Sequence, residues 1–229
     1  MDKFAVELKL AHTGFCAFFD CRATALIARR ITWQAERLPY NRRSRKRRDL
    51  FYSVMRIWTI GHSTRTIDEL ISLLDENEIK LLADVRAWPS SKRYPQFNKD
   101  TLAESLNAHR IRYEHFPELG GKRKLKPDSR NTAWRNASFR GYADYMETEE
   151  FQKGIERLLD FAAESGATAI MCAEAVWWRC HRSLIADYLK ARGLEVMHIL
   201  GAKKVEPHPY TSAARITDGE LSYRPESLL

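Results

Sequence analysis

The chain has 229 residues, 44% of them hydrophobic and 30% charged, with a formal net charge of +8 at pH 7. That balance excludes a disordered or fibrous chain and fits one sizeable core with an appendage. The charge is uneven: residues 1–54 hold twelve Lys or Arg against five Asp or Glu, and the remainder carries only +1. A nucleic-acid reading of the basicity therefore concerns the leader.

Four cysteines, Cys16, Cys21, Cys172 and Cys180, are too few and too irregularly spaced for a disulfide framework, which points to a reducing compartment and the cytoplasm. No stretch approaches the roughly 18 apolar residues of a membrane span, because Asp20 and Arg22 interrupt the most apolar part of the leader, so no membrane partner is expected. The charged segment, apolar block and small-residue cleavage site of a secretory signal are also missing.

In chain order, the leader offers one short helix near 23–30 and then the run RRSRKRR over 42–48, a like-charge block that stays solvated. The expected division is a basic, weakly structured extension over 1–54, readable as an over-long start or as a targeting or phosphate-binding arm, and a domain over 55–229. Ile57-Trp58-Thr59-Ile60 is a β-rich run. Thr66 and Glu69 form a capping box for a helix with Ile67, Leu70, Ile71 and Leu74 inward. Residues 80–85 read as a strand covered on both faces. Asn98 caps a helix through about 109, and 111–116 is a third strand.

A long polar connection over 117–136 leads to helices over 140–147 and 149–164, the second stopped by Gly166. A fourth strand follows at 168–172, then a helix over 181–192 closed by Gly193 and a fifth strand at 195–200. The tail after Gly201 reads as loop, with a hairpin near 214–223. Strands and helices alternating in this way imply a single α/β domain: a mostly parallel sheet with helices on both faces, a Rossmann-like three-layer arrangement. Ligands in such folds bind beyond the carboxyl ends of the strands, so the polar residues there are the functional candidates.

After the first strand, Gly61-His62-Ser63 leads to a helix N-terminus and reads as a cradle for a phosphate or carboxylate. The second strand ends in Asp84-Val85-Arg86, with Pro89-Ser90-Ser91 and Arg93 beyond; Asp84 and Arg86 share a strand face and form either a structural ion pair or part of a site. The sharpest feature is Cys172-Ala173-Glu174, then Trp177-Trp178-Arg179, then Cys180-His181-Arg182 at a helix start. A thiol there, beside Arg179, His181 and Arg182, meets the conditions that stabilise a thiolate. Glu174 or His181 can move protons and Arg182 can hold an anion. Cys172 alone reads equally well as a small buried hydrophobe.

A phosphatase-type loop needs Cys, five residues and Arg; here six residues separate Cys172 from Arg179 and no His precedes the Cys. Zinc on Cys172, Cys180, His181 and His62 is chemically sound, but the cysteines lack the tight knuckle spacing, so no cofactor is expected and zinc is the alternative. Trp177 and Trp178 are a lid or an anchor. The loop over 122–135, rich in Lys and Arg with Trp134 inside it, is a solvated connection or a contact for nucleic acid.

Taken together, Thr59-Ile60-Gly61-His62-Ser63, Asp84-Val85-Arg86 with Pro89 and Ser90, Leu119-Gly120-Gly121, Met171-Cys172-Ala173-Glu174 with Cys180-His181-Arg182, and His198-Ile199 resemble the bacterial family called domain of unknown function 488. The resemblance covers about Arg56 onward and leaves out the leader. It implies an α/β domain and functional residues at His62, Asp84, Arg86, Cys172, Glu174, Cys180, His181 and Arg182. Some members are loosely labelled DNA-repair proteins.

The reading that uses most of these residues is a cysteine-dependent enzyme acting on a small anion, a nucleotide or a phosphorylated metabolite. Cys180, or else Cys172, is its nucleophile or redox thiol, with His181, Glu174 and Asp84 as catalytic partners. Gly61, His62, Ser63, Arg86, Ser90, Gly120, Gly121 and Arg182 bind the substrate. The competing reading is a nucleic-acid-binding or repair-associated protein that uses the leader and the 122–135 loop, with Trp134 or Trp178 stacking on bases.

Overall fold

The computed structural model describes residues 55–217 and 219–225; the leader, with the helix expected near 23–30, lies outside the described residues. The strands are β1 (Arg56–Gly61), β2 (Leu81–Asp84), β3 (Arg112–His115), β4 (Thr168–Cys172), β5 (Glu195–Gly201), β6 (Lys204–Pro207), β7 (Arg215–Thr217) and β8 (Glu220–Ser222). The helices are α1 (Ile67–Glu76), α2 (Lys99–Ala108), α3 (Ala137–Met146), α4 (Glu149–Ser165) and α5 (Arg182–Ala191). One six-stranded sheet runs in the order β3-β2-β4-β1-β5-β6, parallel except for β6, and β7 and β8 make a separate hairpin.

Every residue of β2 and β4 is buried, because side chains that alternate across a sheet covered on both faces have no wet side. Ile57, Ala83 and Ile170 enter one core with α3, α4 and α5, whereas Ile60, Leu82, Ala169 and Met171 enter another with α1 and α2. The molecule is thus the α/β domain with helices on both faces that the alternation of elements predicts. No helix among the described residues is long and apolar enough to cross a membrane.

Local signals set most boundaries. Thr66 and Glu69 close a reciprocal capping box on α1, and Gly166 and Gly193 take the positive φ of 87° and 88° that a side chain resists. Three expectations are adjusted. Helix α3 begins at Ala137, earlier than 140, because the Asn136 side chain accepts from the Ser138 and Phe139 N–H groups. Asn98 stands at the N-cap of α2, but its Oδ1 accepts from Ser91 N at 2.6 Å, pinning the loop instead of the helix. The start of the tail is not loop: β6 pairs antiparallel with β5 after a tight turn through Lys203 at φ 54°.

The order β2-β4-β1 has a functional consequence. After β1 and β2 the chain turns to α1 and α2 on one face, and after β4 it turns to α5 on the other. The carboxyl end of β4 is therefore a switch point, where diverging connections leave a crevice.

Candidate functional site

Strand β4 delivers Cys172 to that crevice, and Cys180 and His181 come back to it at the start of α5. His181 is the N-cap of α5, so Cys180 immediately precedes the helix, at the positive end of its dipole. His181 Nδ1 lies 3.6 Å from Cys180 Sγ and 3.9 Å from Cys172 Sγ. Its other nitrogen, Nε2, donates to Val85 O at 3.1 Å, which fixes the tautomer and leaves Nδ1 as a lone pair facing both sulfurs. The two cysteines are free thiols, and Cys180 is only 3% exposed. Arg182, 1% exposed, donates from Nε to Cys180 Sγ at 3.4 Å and from its NH2 group to Glu174 O at 2.6 Å.

The two sulfurs are perturbed in opposite directions. Burial pushes the Cys180 thiol up, but the hydrogen bond from Cys172 and the neighbouring His181 and Arg182 outweigh it and hold Cys180 well below the usual thiol range. Cys172 is pushed well above that range, first by its hydrogen bond to Cys180 and then by burial. The direction agrees with the geometry, since Arg182 aims its N–H at Cys180 and not at Cys172. Of the two, Cys180 is the sulfur whose surroundings favour the thiolate, and Cys172 the one whose surroundings favour the thiol.

A second polar cluster occupies the same rim on the α1–α2 face. Arg86 donates to both oxygens of Asp84, from Nε at 2.9 and 3.1 Å and from NH2 at 2.5 Å, and NH2 also reaches Phe97 O at 2.8 Å. Asp84, fully buried, accepts in addition from Tyr113 OH at 2.8 Å and from Arg86 N. Its carboxylate is saturated; it orients Arg86 and does not serve as a free base. His62 stacks on Phe97 at 4.2 Å, donates from Nδ1 to Ser63 O and faces the Arg86 NH1 group with Nε2 at 3.3 Å. Burial first and the Arg86 charge second lower its pKa to about 4, so the ring is neutral. Both its nitrogens are engaged by other partners, and His62 does not join the close group of Cys172, Cys180 and His181 donors.

Other candidates are placed differently from the sequence expectation. The His62 and Ser63 N–H groups donate to Cys172 O and Ala173 O, so Gly61-His62-Ser63 forms no open anion cradle. Gly61 is required for close approach: a Cβ there would stand 1.8 Å from Glu174 O, the carbonyl that Arg182 holds. The Glu174 side chain is exposed, and the residue enters the site through that carbonyl. Ser90 lies exposed on the loop after β2. Gly120 packs on Ala87, and Gly121 lies on the His181 ring, where a Cβ would come within 2.4 Å of Nδ1. In the following loop, Lys126 N, Ser129 and Asn131 all donate to Asp144, Arg123 donates to three carbonyls of 117–120, and Trp134 packs on Phe139 and Tyr223. Trp134 is thus engaged in the body of the protein, and the loop is tied down. Trp177 is the anchor of its pair, stacked on His198 at 4.4 Å, while Trp178 is half exposed.

Sequence reasoning missed one buried network behind the site. Thr59 Oγ1, His198, His208 and Asp187 are linked by contacts of 2.7, 2.8 and 3.0 Å, and Thr211 and Tyr223 also donate to Asp187. Burial, then the charge at His208, then Arg182 lower the His198 pKa to about 3. The available signal was Asp187 among the apolar residues of α5 and His198 on a strand position flanked by Val196 and Leu200.

Residues 66–189, more than half of the chain, match the family model described as Domain of unknown function DUF488. The chain belongs to this family. The DUF488 match starts at the Thr66 cap and ends within α5, so it includes Asp84, Arg86, Cys172, Cys180, His181 and Arg182 and stops short of His198 and His208. No curated protein and no solved structure matches the chain.

Proposed function

We propose that this DUF488 protein is a cytoplasmic thiol-dependent enzyme in which the Cys180 thiolate acts on a small anionic substrate, a nucleotide or a phosphorylated metabolite. The observation that carries the reading is Arg182 Nε, which donates to Cys180 Sγ at 3.4 Å at the start of α5, with the His181 Nδ1 lone pair 3.6 Å away as the acceptor for a thiol proton. A fixed guanidinium N–H and the positive end of a helix dipole in a dry setting stabilise an anion without reorganisation, which is the requirement for a reactive thiolate at neutral pH. Cys172 S–H and His181 are the groups placed to move a proton, the Glu174 carboxylate being outside the cage. Arg182 holds the thiolate, and Arg86, oriented by Asp84, supplies positive charge on the adjoining face.

Because both sulfurs are buried, the reacting molecule must be small or must lift the 173–179 loop. The test is pulse labelling of the reduced, chelator-treated full chain with a small electrophile, read by mass spectrometry. Cys180 is expected to react ahead of Cys16 and Cys21, and a panel of nucleotides and sugar phosphates is expected to contain members that slow it. Labelling of Cys180 no faster than the leader cysteines, with no protection by any phosphate ester, would refute the proposal.

A further inference from the structure

The thiol cage also has the dimensions of a metal site. We infer that Cys172 Sγ, Cys180 Sγ and His181 Nδ1 form a three-donor site for a thiophilic divalent cation, zinc above all, whose remaining position is left to water or substrate. The three atoms all lie within 4.8 Å of one another, and all three residues are buried. For a tetrahedral zinc with Zn–S of about 2.3 Å and Zn–N of about 2.05 Å, a sulfur and a nitrogen ligand should stand about 3.6 Å apart. The observed separations are 3.6 Å for Cys180 and 3.9 Å for Cys172. Both sulfur–nitrogen separations are therefore within about 0.3 Å of those of ligands on one tetrahedral ion, and the two sulfurs lie within the same 4.8 Å limit.

The surroundings are those a metal ligand requires. The Val85 carbonyl takes the Nε2 proton of His181, which turns the Nδ1 lone pair inward; this is the outer-shell bond that orients metal-binding histidines. The Arg182 N–H contact to Cys180 Sγ leaves sulfur lone pairs for a metal, and N–H donation to a bound thiolate is compatible with ligation. Gly121 is the residue that lets the backbone lie against the imidazole without pushing it out of place. Sequence spacing argued against zinc because Cys172 and Cys180 are not a tight knuckle; the fold supplies the proximity that the spacing lacks, by bringing the end of β4 against the start of α5. Two soft sulfurs and one imidazole favour zinc, and cobalt as its spectroscopic substitute, over magnesium or calcium.

The site does not depend on turnover at Cys180, and a bound metal would shield that sulfur from electrophiles. The test uses the full chain, stripped with a chelator under reducing conditions and titrated with cobalt(II), then with zinc(II). Expected are one equivalent of cobalt per chain, with thiolate-to-cobalt charge-transfer and tetrahedral d–d bands, and displacement of both by zinc. The charge-transfer intensity of the wild-type protein reports two thiolates without any variant. Cys172→Ser should halve it, His181→Gln should weaken binding at least tenfold, and the Cys16→Ser/Cys21→Ser protein should bind as wild type. Absence of the charge-transfer band, or a band lost with Cys16 and Cys21 and kept in Cys172→Ser, overturns the inference. Fast electrophile labelling of the stripped protein combined with no cobalt band would retain the thiolate reading and remove the metal site. A two-thiolate band with an unreactive stripped Cys180 would do the reverse.

Discussion

Gly121→Ala is a small substitution with a large expected effect. The added Cβ would stand 2.4 Å from His181 Nδ1, 2.7 Å from Cγ and 3.0 Å from Cε1, where ordinary contact begins at 3.4 Å. The ring must retreat by about 1 Å or the backbone at 120–121 must lift, since overlap on that scale is strongly repulsive. Neither is free to do so. The ring is held by Val85 O at 3.1 Å and packs on Tyr142, and a residue away Gly120 already lies tight against Ala87. Overpacking of this kind costs about 1–3 kcal/mol, and at roughly 3 °C per kcal/mol for a domain of this size the melting temperature should drop by about 3–9 °C. Displacement of Nδ1 should also slow Cys180 alkylation in metal-free protein. Gly193→Ala is the comparison: its φ is 88° with nothing within 4 Å, so it should lower stability by about 1 kcal/mol and leave Cys180 unchanged. If Gly121→Ala melted with the wild type and kept its Cys180 labelling rate, the packing account of the 120–121 segment would be wrong.

Other expectations follow from the same geometry. Asp84→Asn leaves the buried Arg86 without its carboxylate and should cost about 3–5 kcal/mol, read from the urea midpoint at constant slope. Glu174→Gln changes an exposed side chain whose backbone carbonyl is the part in use, so Cys180 reactivity and stability should stay within twofold and about 0.5 kcal/mol. His198 titrates at about 3 when folded, against 6.5 in the free side chain. Between those values the unfolded chain binds a proton that the folded chain refuses, so stability is fully present above pH 6.5 and falls as pH drops toward 3, by on the order of 5 kcal/mol over the window. The pH slope of the urea midpoint should flatten by up to one proton in His198→Gln, and an unchanged slope would remove His198 from that role.

The features that were legible in the sequence are those controlled locally. The apolar runs at 81–83 and 168–172, the Thr66–Glu69 box and the closing glycines 166 and 193 each specify an element from within a few residues. Strand order was not legible, because it depends on which faces the connecting helices cover, and β6 was missed because a four-residue exposed edge strand with only Val205 apolar has no period to read. The candidate site was legible as residue types and not as roles. Cys180-His181-Arg182 and Asp84-Val85-Arg86 announce buried charge at strand and helix ends. That Glu174 acts through a carbonyl, that Gly121 makes room for an imidazole and that the N–H groups of His62 and Ser63 go to Cys172 and Ala173 are facts of packing between segments distant in the chain.

The most direct measurement compares the two buried sulfurs with each other. Reduced, metal-stripped full chain is pulsed with a small electrophile at neutral pH, quenched and mapped by mass spectrometry, beside Arg182→Gln. Of the two sulfurs, Arg182 gives a charge-assisted N–H contact to Cys180 and not to Cys172, a kind of bond worth about 1.5–3 kcal/mol. The account predicts label on Cys180 well ahead of Cys172 in the wild type, and a fall of roughly tenfold or more in the Cys180 rate in the variant. Equal labelling of the two sulfurs, or a Cys180 rate indifferent to the loss of Arg182, would contradict it.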